Sequence, residues 1–138
     1  MKDLRERTDR LLPQIAGAQI IGLSALTGEG MERLMPAVIE ADRMWNTRVP
    51  TAGLNRFLED AQSRHAPPAV RGRRIRLRYM TQAKARPPTF AIFGNQLDAL
   101  PKSYTRYLVN ALREAFDLPG VPIRVSLRTG KNPFDKGG

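Results

Sequence analysis

Few side chains in this sequence have the type and spacing to make or break a bond. His65 is the only histidine and there is no cysteine, which excludes disulfides and thiolate metal sites. His65 stands before Ala66-Pro67-Pro68 with no acidic cluster beside it, and reads as a surface residue. Glu59 and Asp60 are adjacent, and adjacent residues do not converge on one helix face for acid–base work. No Ser/His/Asp or Cys/His set can be assembled. A loop that cradles nucleotide phosphates ends in Gly-Lys-Ser/Thr; here Gly130-Lys131 is followed by Asn132 and lacks the upstream glycine. Asn95-Gln96-Leu97-Asp98 and Asp117-Leu118-Pro119-Gly120 imitate guanine-reading and switch motifs. Both stand in the wrong order relative to Ser24-Ala25-Leu26 and read as turns. The chain alone is expected not to be an enzyme.

The chemistry that remains is ionic. Met1 to Pro50 carries seven basic and seven acidic residues, whereas Thr51 to Gly138 carries sixteen basic against six acidic, the whole net charge of +10. Arg71 to Arg86 holds seven cations and no anion, so no local partner neutralises it. Arginine outnumbers lysine there, which suits bidentate phosphate contacts. From Arg73 to Tyr79, alternation places Ile75, Leu77 and Tyr79 on one face and Arg74, Arg76 and Arg78 on the other. One face wants a core and the other an anionic partner. A membrane surface fits less well, because the charge lies on a strand pattern and not on an amphipathic helix. No apolar run approaches the roughly 20 residues that cross a bilayer. The acid-containing N-terminus is no secretory signal, and a cytoplasmic location is expected.

The elements that must position these cations follow from periodicity. Lys2 to Leu12 reads as a helix ended by Pro13. Gln19 to Leu23 reads as a buried strand opening into the small, polar loop from Ser24 to Gly30. Met31, Leu34, Met35, Val38 and Ile39 recur at helical spacing, with Pro36 expected to kink that helix or delay its regular part. A strand, a loop and a helix cannot bury their own apolar faces, so Met1 to Pro50 looks like the end of an α/β domain. Thr51 can cap a helix carrying Leu54, Phe57, Leu58 and Ala61. The basic hairpin follows, with its tip at Lys84 to Pro88 and its return strand at Thr89 to Phe93. A second helix begins near Pro101, with Tyr104, Leu108, Ala111, Leu112, Ala115 and Phe116 inward. The last strand, Pro122 to Arg128, points Ile123, Val125 and Leu127 inward and Arg124 and Arg128 outward. The fold class is therefore α/β (α+β): an α-β-β-α-β unit whose three-stranded sheet is covered on one face by helices. Arg128 to Gly138 reads as a cationic tail.

Several strings together resemble a known family. Tyr79-Met80-Thr81-Gln82, Pro87-Pro88-Thr89-Phe90, Ser103-Tyr104-Thr105-Arg106-Tyr107-Leu108, Arg113-Glu114-Ala115-Phe116 and Gly120-Val121-Pro122-Ile123-Arg124 are similar to the C-terminal region of the EngA (Der) family, bacterial GTPases with two tandem GTP-binding domains and a final KH-like domain. The resemblance covers nearly the whole chain. It implies that residues 1–50 end the second GTPase domain, a P-loop fold, and that residues 51–129 are the KH-like domain; residues 130–138, Gly-rich and cationic, are expected to be a flexible tail. It implies that Ser24, Ala25 and Leu26 form the loop whose backbone touches guanine, and that GTP and Mg²⁺ serve the full-length protein, not this chain. The implied role is assembly of the large ribosomal subunit, with ribosomal RNA and the GTPase domains of the same protein as partners. The expected RNA-contacting residues are Arg73, Arg74, Arg76, Arg78, Lys84, Arg86, Arg124, Arg128 and Lys131. The alternative is a docking domain that packs on the GTPase domains in a nucleotide-dependent way. Ordinary KH domains grip nucleic acid with a Gly-x-x-Gly loop. Gln96 to Ser103 has none, so an arginine face reading helical RNA backbone is expected instead.

Overall fold

The computed structural model describes residues 1–130. Among them are helices α1 (Lys2–Leu11), α2 (Met31–Trp45), α3 (Thr51–Arg64) and α4 (Lys102–Ala115). The strands are β1 (Ala69–Val70), β2 (Arg73–Arg74), β3 (Arg76–Lys84), β4 (Thr89–Asn95) and β5 (Arg124–Thr129). β3, β4 and β5 form one sheet in that order, with β3 antiparallel and β5 parallel to β4. The parallel pair is joined through α4, which lies against the sheet with α3. Leu54, Phe57, Leu58 and Ala61 of α3 and Tyr104, Leu108 and Leu112 of α4 bury against Leu77, Met80, Phe90 and Ile92. Val125 and Leu127 complete that side. The α-β-β-α-β order and the single helix-covered face follow the periodicities of the sequence.

The outer edge of β3 is closed by side chains of α3. Leu77 N–H donates to Gln62 Oε1 (3.0 Å) and Gln62 Nε2 donates to Leu77 C=O (2.9 Å). Met80 and Asn55 repeat the exchange at 3.0 and 3.1 Å. Asn55 and Gln62 are seven residues apart, about 10.5 Å along a helix. In a regular strand, groups facing one edge recur every second residue, about 6.7 or 13.4 Å, and match neither. A register shift between Leu77 and Tyr79 inserts one residue, so the outward groups lie on Leu77 and Met80, about 10 Å apart. The bulge thus brings the strand into step with two turns of helix, and the carboxamides act as a missing strand.

The bulge also corrects the alternation read from the sequence. Tyr79, expected inward, pairs with Phe93 on the helix-free face, and Met80 takes the fully buried position. Further expectations change. Gln19–Leu23 forms no strand, because no neighbouring strand among the described residues offers it a ladder. Thr51 does not cap α3 but begins it, its hydroxyl 3.4 Å from that of Thr81, while Pro50 holds the cap position. Pro36 lies inside α2, whose helix runs unbroken from Met31 to Trp45. At the foot of α4, Ala115 is exposed and not inward.

The N-terminal residues pack against the loop between α4 and β5. Gly120 N–H donates to Ala16 C=O (2.7 Å). At Gly120 a Cβ would lie 2.6 Å from Ala18 Cα, so this seam is a close passage of two backbones that tolerates no side chain. Arg113, only 8% exposed, spans it. Its Nη1 donates to Leu118 and Val121 carbonyls (3.0 and 2.7 Å) and its Nη2 to the Gln14 carbonyl (3.2 Å). Burial pushes this guanidinium below its ordinary value.

Candidate nucleic-acid interface

β4 sets the geometry of the helix-free face. Phe93 is flanked by Tyr79 on β3 and Arg128 on β5, Ala91 by Thr81 and Ser126, and Thr89 by Arg124. Arg76 pairs with Asn95 at the end of the same face. Three arginines of two edge strands, Arg76, Arg124 and Arg128, are therefore exposed around a centre of Tyr79 and Phe93. The Arg128 guanidinium carbon lies 5.7 Å from the Phe93 ring centroid, within range of a cation–π contact. Tyr79 and Phe93 rings are 5.9 Å apart. A rigid sheet bearing separated guanidinia can meet several oxyanions at once, each through a planar fork of donors.

The remaining expected cations are distributed differently. Arg78 occupies the bulge and is exposed. Arg74, expected on this face, instead forms β2 with Arg73, and β2 pairs with β1 as a separate two-stranded ribbon. The physical cause is a tight turn at Arg71-Gly72 that folds the chain back before Ile75 enters the core. Lys84 is exposed at the end of β3. Arg86 is turned toward α2, where its Nε donates to Asn46 Oδ1 and its Nη2 lies 3.6 Å from Asp42 Oδ1. Lys131 lies outside the described residues. Among the described residues, Arg71, Arg73, Arg74, Arg76, Arg78, Arg124 and Arg128 form no ion pair, so their charge is available to a partner.

Ser24-Ala25-Leu26 forms a turn closed by Gly28 N–H to Ser24 C=O (2.8 Å) and Thr27 N–H to Ser24 Oγ (3.2 Å). Leu26 is 95% exposed at its tip. The turn enters α2 at Gly30, where a Cβ would overlap the Gly22 carbonyl at 2.1 Å. Among the described residues no group of His, Asp and Glu is placed to hold a metal ion, and no helix is long and apolar enough to cross a membrane. Sequence reasoning missed Arg113, which no periodicity marks as buried. It also missed Asn55 and Gln62, although two carboxamides on the stripe of Leu54, Leu58 and Ala61 are a legible signal.

His65, which reads as a surface residue, is exposed and stacks edge-on with Tyr107 at 4.9 Å. Nearby, Tyr104 and Tyr107 hydroxyls donate to the His65 and Ala61 carbonyls at 2.6 and 2.9 Å, satisfying acceptors at the end of α3. Burial pushes the Tyr104 phenol up to about 12.

Two helices on one face of this three-stranded sheet, with the opposite face cationic, describe a KH-like module. The family described as the KH-domain-like C-terminal part of EngA bacterial GTPase enzymes matches residues 48–128, and the chain belongs to the EngA (Der) family. Among similar curated proteins, the GTPase Der of Rhizobium leguminosarum is 57% identical over 98% of this chain and 28% of its own length. That of Rhizobium meliloti is 59% identical over 96% and 28%. That of Parvibaculum lavamentivorans is 56% identical over 97% and 28%. The chain thus spans a little over a quarter of the length of these relatives.

Proposed function

We propose that this chain is the RNA- and ribosome-binding C-terminal region of a GTPase that assists assembly of the large ribosomal subunit in the bacterial cytoplasm. The observation that carries this reading is the unpaired arginine set on the helix-free face and the adjoining ribbon. Each phosphate met by one of these side chains releases condensed counterions, so binding should fall steeply with salt and show little sequence preference. Residues 51–129 supply the contact surface. Residues 1–50 join it to the GTPase, with Ser24, Ala25 and Leu26 as one edge of a guanine site. GTP and Mg²⁺ belong to the rest of the longer protein. The test is binding of the whole chain to large-subunit ribosomal RNA across a salt series. A log–log slope of roughly −3 to −6 would support four to six phosphate contacts, and a flat dependence would refute them.

A second reading is favoured by a separate observation. Leu23, Leu26, Met31, Met35, Val38 and Ile39 are exposed apolar residues on α2 and the loop before it. An apolar surface of that kind is suited to cover by another segment, here the GTPase domains of the same protein. Docking there uses none of the arginines of the helix-free face, and nucleotide state can then govern how that face is presented.

A further inference from the structure

The ribbon between α3 and the sheet has a feature that its local energetics do not favour. Ala69 pairs with Arg74 and Val70 with Arg73, so the connecting turn has two residues, Arg71 and Gly72. Both have positive φ, 53° and 73°, as a type I′ turn requires. Asn, Asp and Gly are preferred at the first position, because glycine has no Cβ to clash and a short polar side chain bonds locally. Arginine has neither relief, yet it holds the tip. The ribbon is otherwise firmly rooted. Ile75 is fully buried and its N–H donates to the Pro68 carbonyl at 3.3 Å. Arg71, Arg73 and Arg74 are all exposed, and among the described residues none has a carboxylate partner.

A cation kept where the backbone favours asparagine, on a rooted ribbon with two further cations, suits a ligand and not the fold. We propose that the β1–β2 ribbon is a second phosphate-binding element, separate from the sheet face, and that Arg71 is held at its tip to contact the backbone of helical RNA. The inference rests on the RNA-binding reading above. A-form RNA shows its backbone across a wide, shallow minor groove, and the sheet and the ribbon carry separate sets of exposed arginines that can each meet phosphates there.

The test uses the full chain, a fluorescein-labelled RNA duplex and anionic phospholipid vesicles as probes, and the variants Arg71→Asn and Arg71→Lys. Arg71→Asn relieves the turn, so its melting temperature should rise by about 2–5 °C. Its affinity for the duplex should fall about 5- to 10-fold, with a log–log salt slope shallower by about 0.7–0.9 for one lost phosphate contact. Arg71→Lys should keep the slope. Opposite movement of stability and binding is the signature, because a structural arginine would lose both together. An asparagine variant that binds the duplex like the parent, while the parent binds with the expected salt dependence, overturns this inference alone. So does a variant that melts lower. Binding of the vesicles in preference to the duplex, lost in Arg71→Asn, overturns the RNA assignment. A parent chain that does not bind the duplex at all overturns the RNA reading and this inference together.

Discussion

Replacing Gln62 with leucine removes both hydrogen bonds to the Leu77 backbone while keeping most of the side-chain volume. An orphaned buried N–H or C=O costs about 1–3 kcal/mol. The site is part-buried, so the low end applies to each group and the sum is about 2 kcal/mol. In a unit of this size that lowers the melting temperature by roughly 6–10 °C. Gln62→Glu separates the two bonds. At neutral pH the carboxylate still accepts from the Leu77 N–H but faces the Leu77 carbonyl oxygen with no proton to donate. Acidification returns that donor, and the folded state then holds the proton more tightly than the unfolded state. Stability of Gln62→Glu relative to the parent should therefore recover as pH falls, whereas Gln62→Leu should show no such recovery. Urea unfolding at several pH values measures both. A loss below about 0.5 kcal/mol for Gln62→Leu, within the scatter of ordinary surface substitutions, would refute the view that α3 closes the sheet edge.

Other outcomes follow from the same structure. Arg113→Met leaves three carbonyls without their donor and should destabilise by about 3 kcal/mol in chemical unfolding, with Arg113→Lys recovering only part because an ammonium cannot span the same fork. The Tyr104 phenol should titrate at about 12 by ultraviolet absorption, against an ordinary value of 10. Because the folded state keeps that proton when the unfolded chain has lost it, stability should fall as pH rises from about 10 to about 12. Arg86→Gln should weaken RNA binding less than Arg128→Gln in anisotropy titrations, since Arg86 is already engaged by Asp42 and Asn46.

Most of the architecture was legible because burial imposes periodicity. The stripes of α3 and α4 and the alternation of β5 each name their inward side chains, and those side chains, Ala115 excepted, meet in one core. Alternation failed where the chain departs from a regular strand. The bulge beside Leu77 turns Tyr79 outward, and it matches the spacing of Asn55 and Gln62, whose bonds reach 25 and 15 residues along the chain. The turn at Arg71-Gly72 detaches Arg73 and Arg74 from the sheet. It was hidden because Arg-Gly is not the pair that signals such a turn. Gln19–Leu23 has the composition of a buried strand, but a strand is a property of a pair, and the described residues supply no partner. Arg113 was unreadable because a buried cation held by carbonyls at its two terminal nitrogens leaves no apolar pattern. The charge asymmetry confined the net positive charge to residues 51–138, while only the structure divided the cations there between face, ribbon and hairpin tip.

The most direct measurement is co-sedimentation of the chain with purified large ribosomal subunits over a salt series. A variant with Arg76, Arg124 and Arg128 changed to glutamate would run beside the parent, its folding checked by circular dichroism. Binding by the parent that fades with salt and is lost in the folded variant is the predicted result. Equal binding by the two proteins would contradict the assignment of the helix-free sheet face as the contact surface.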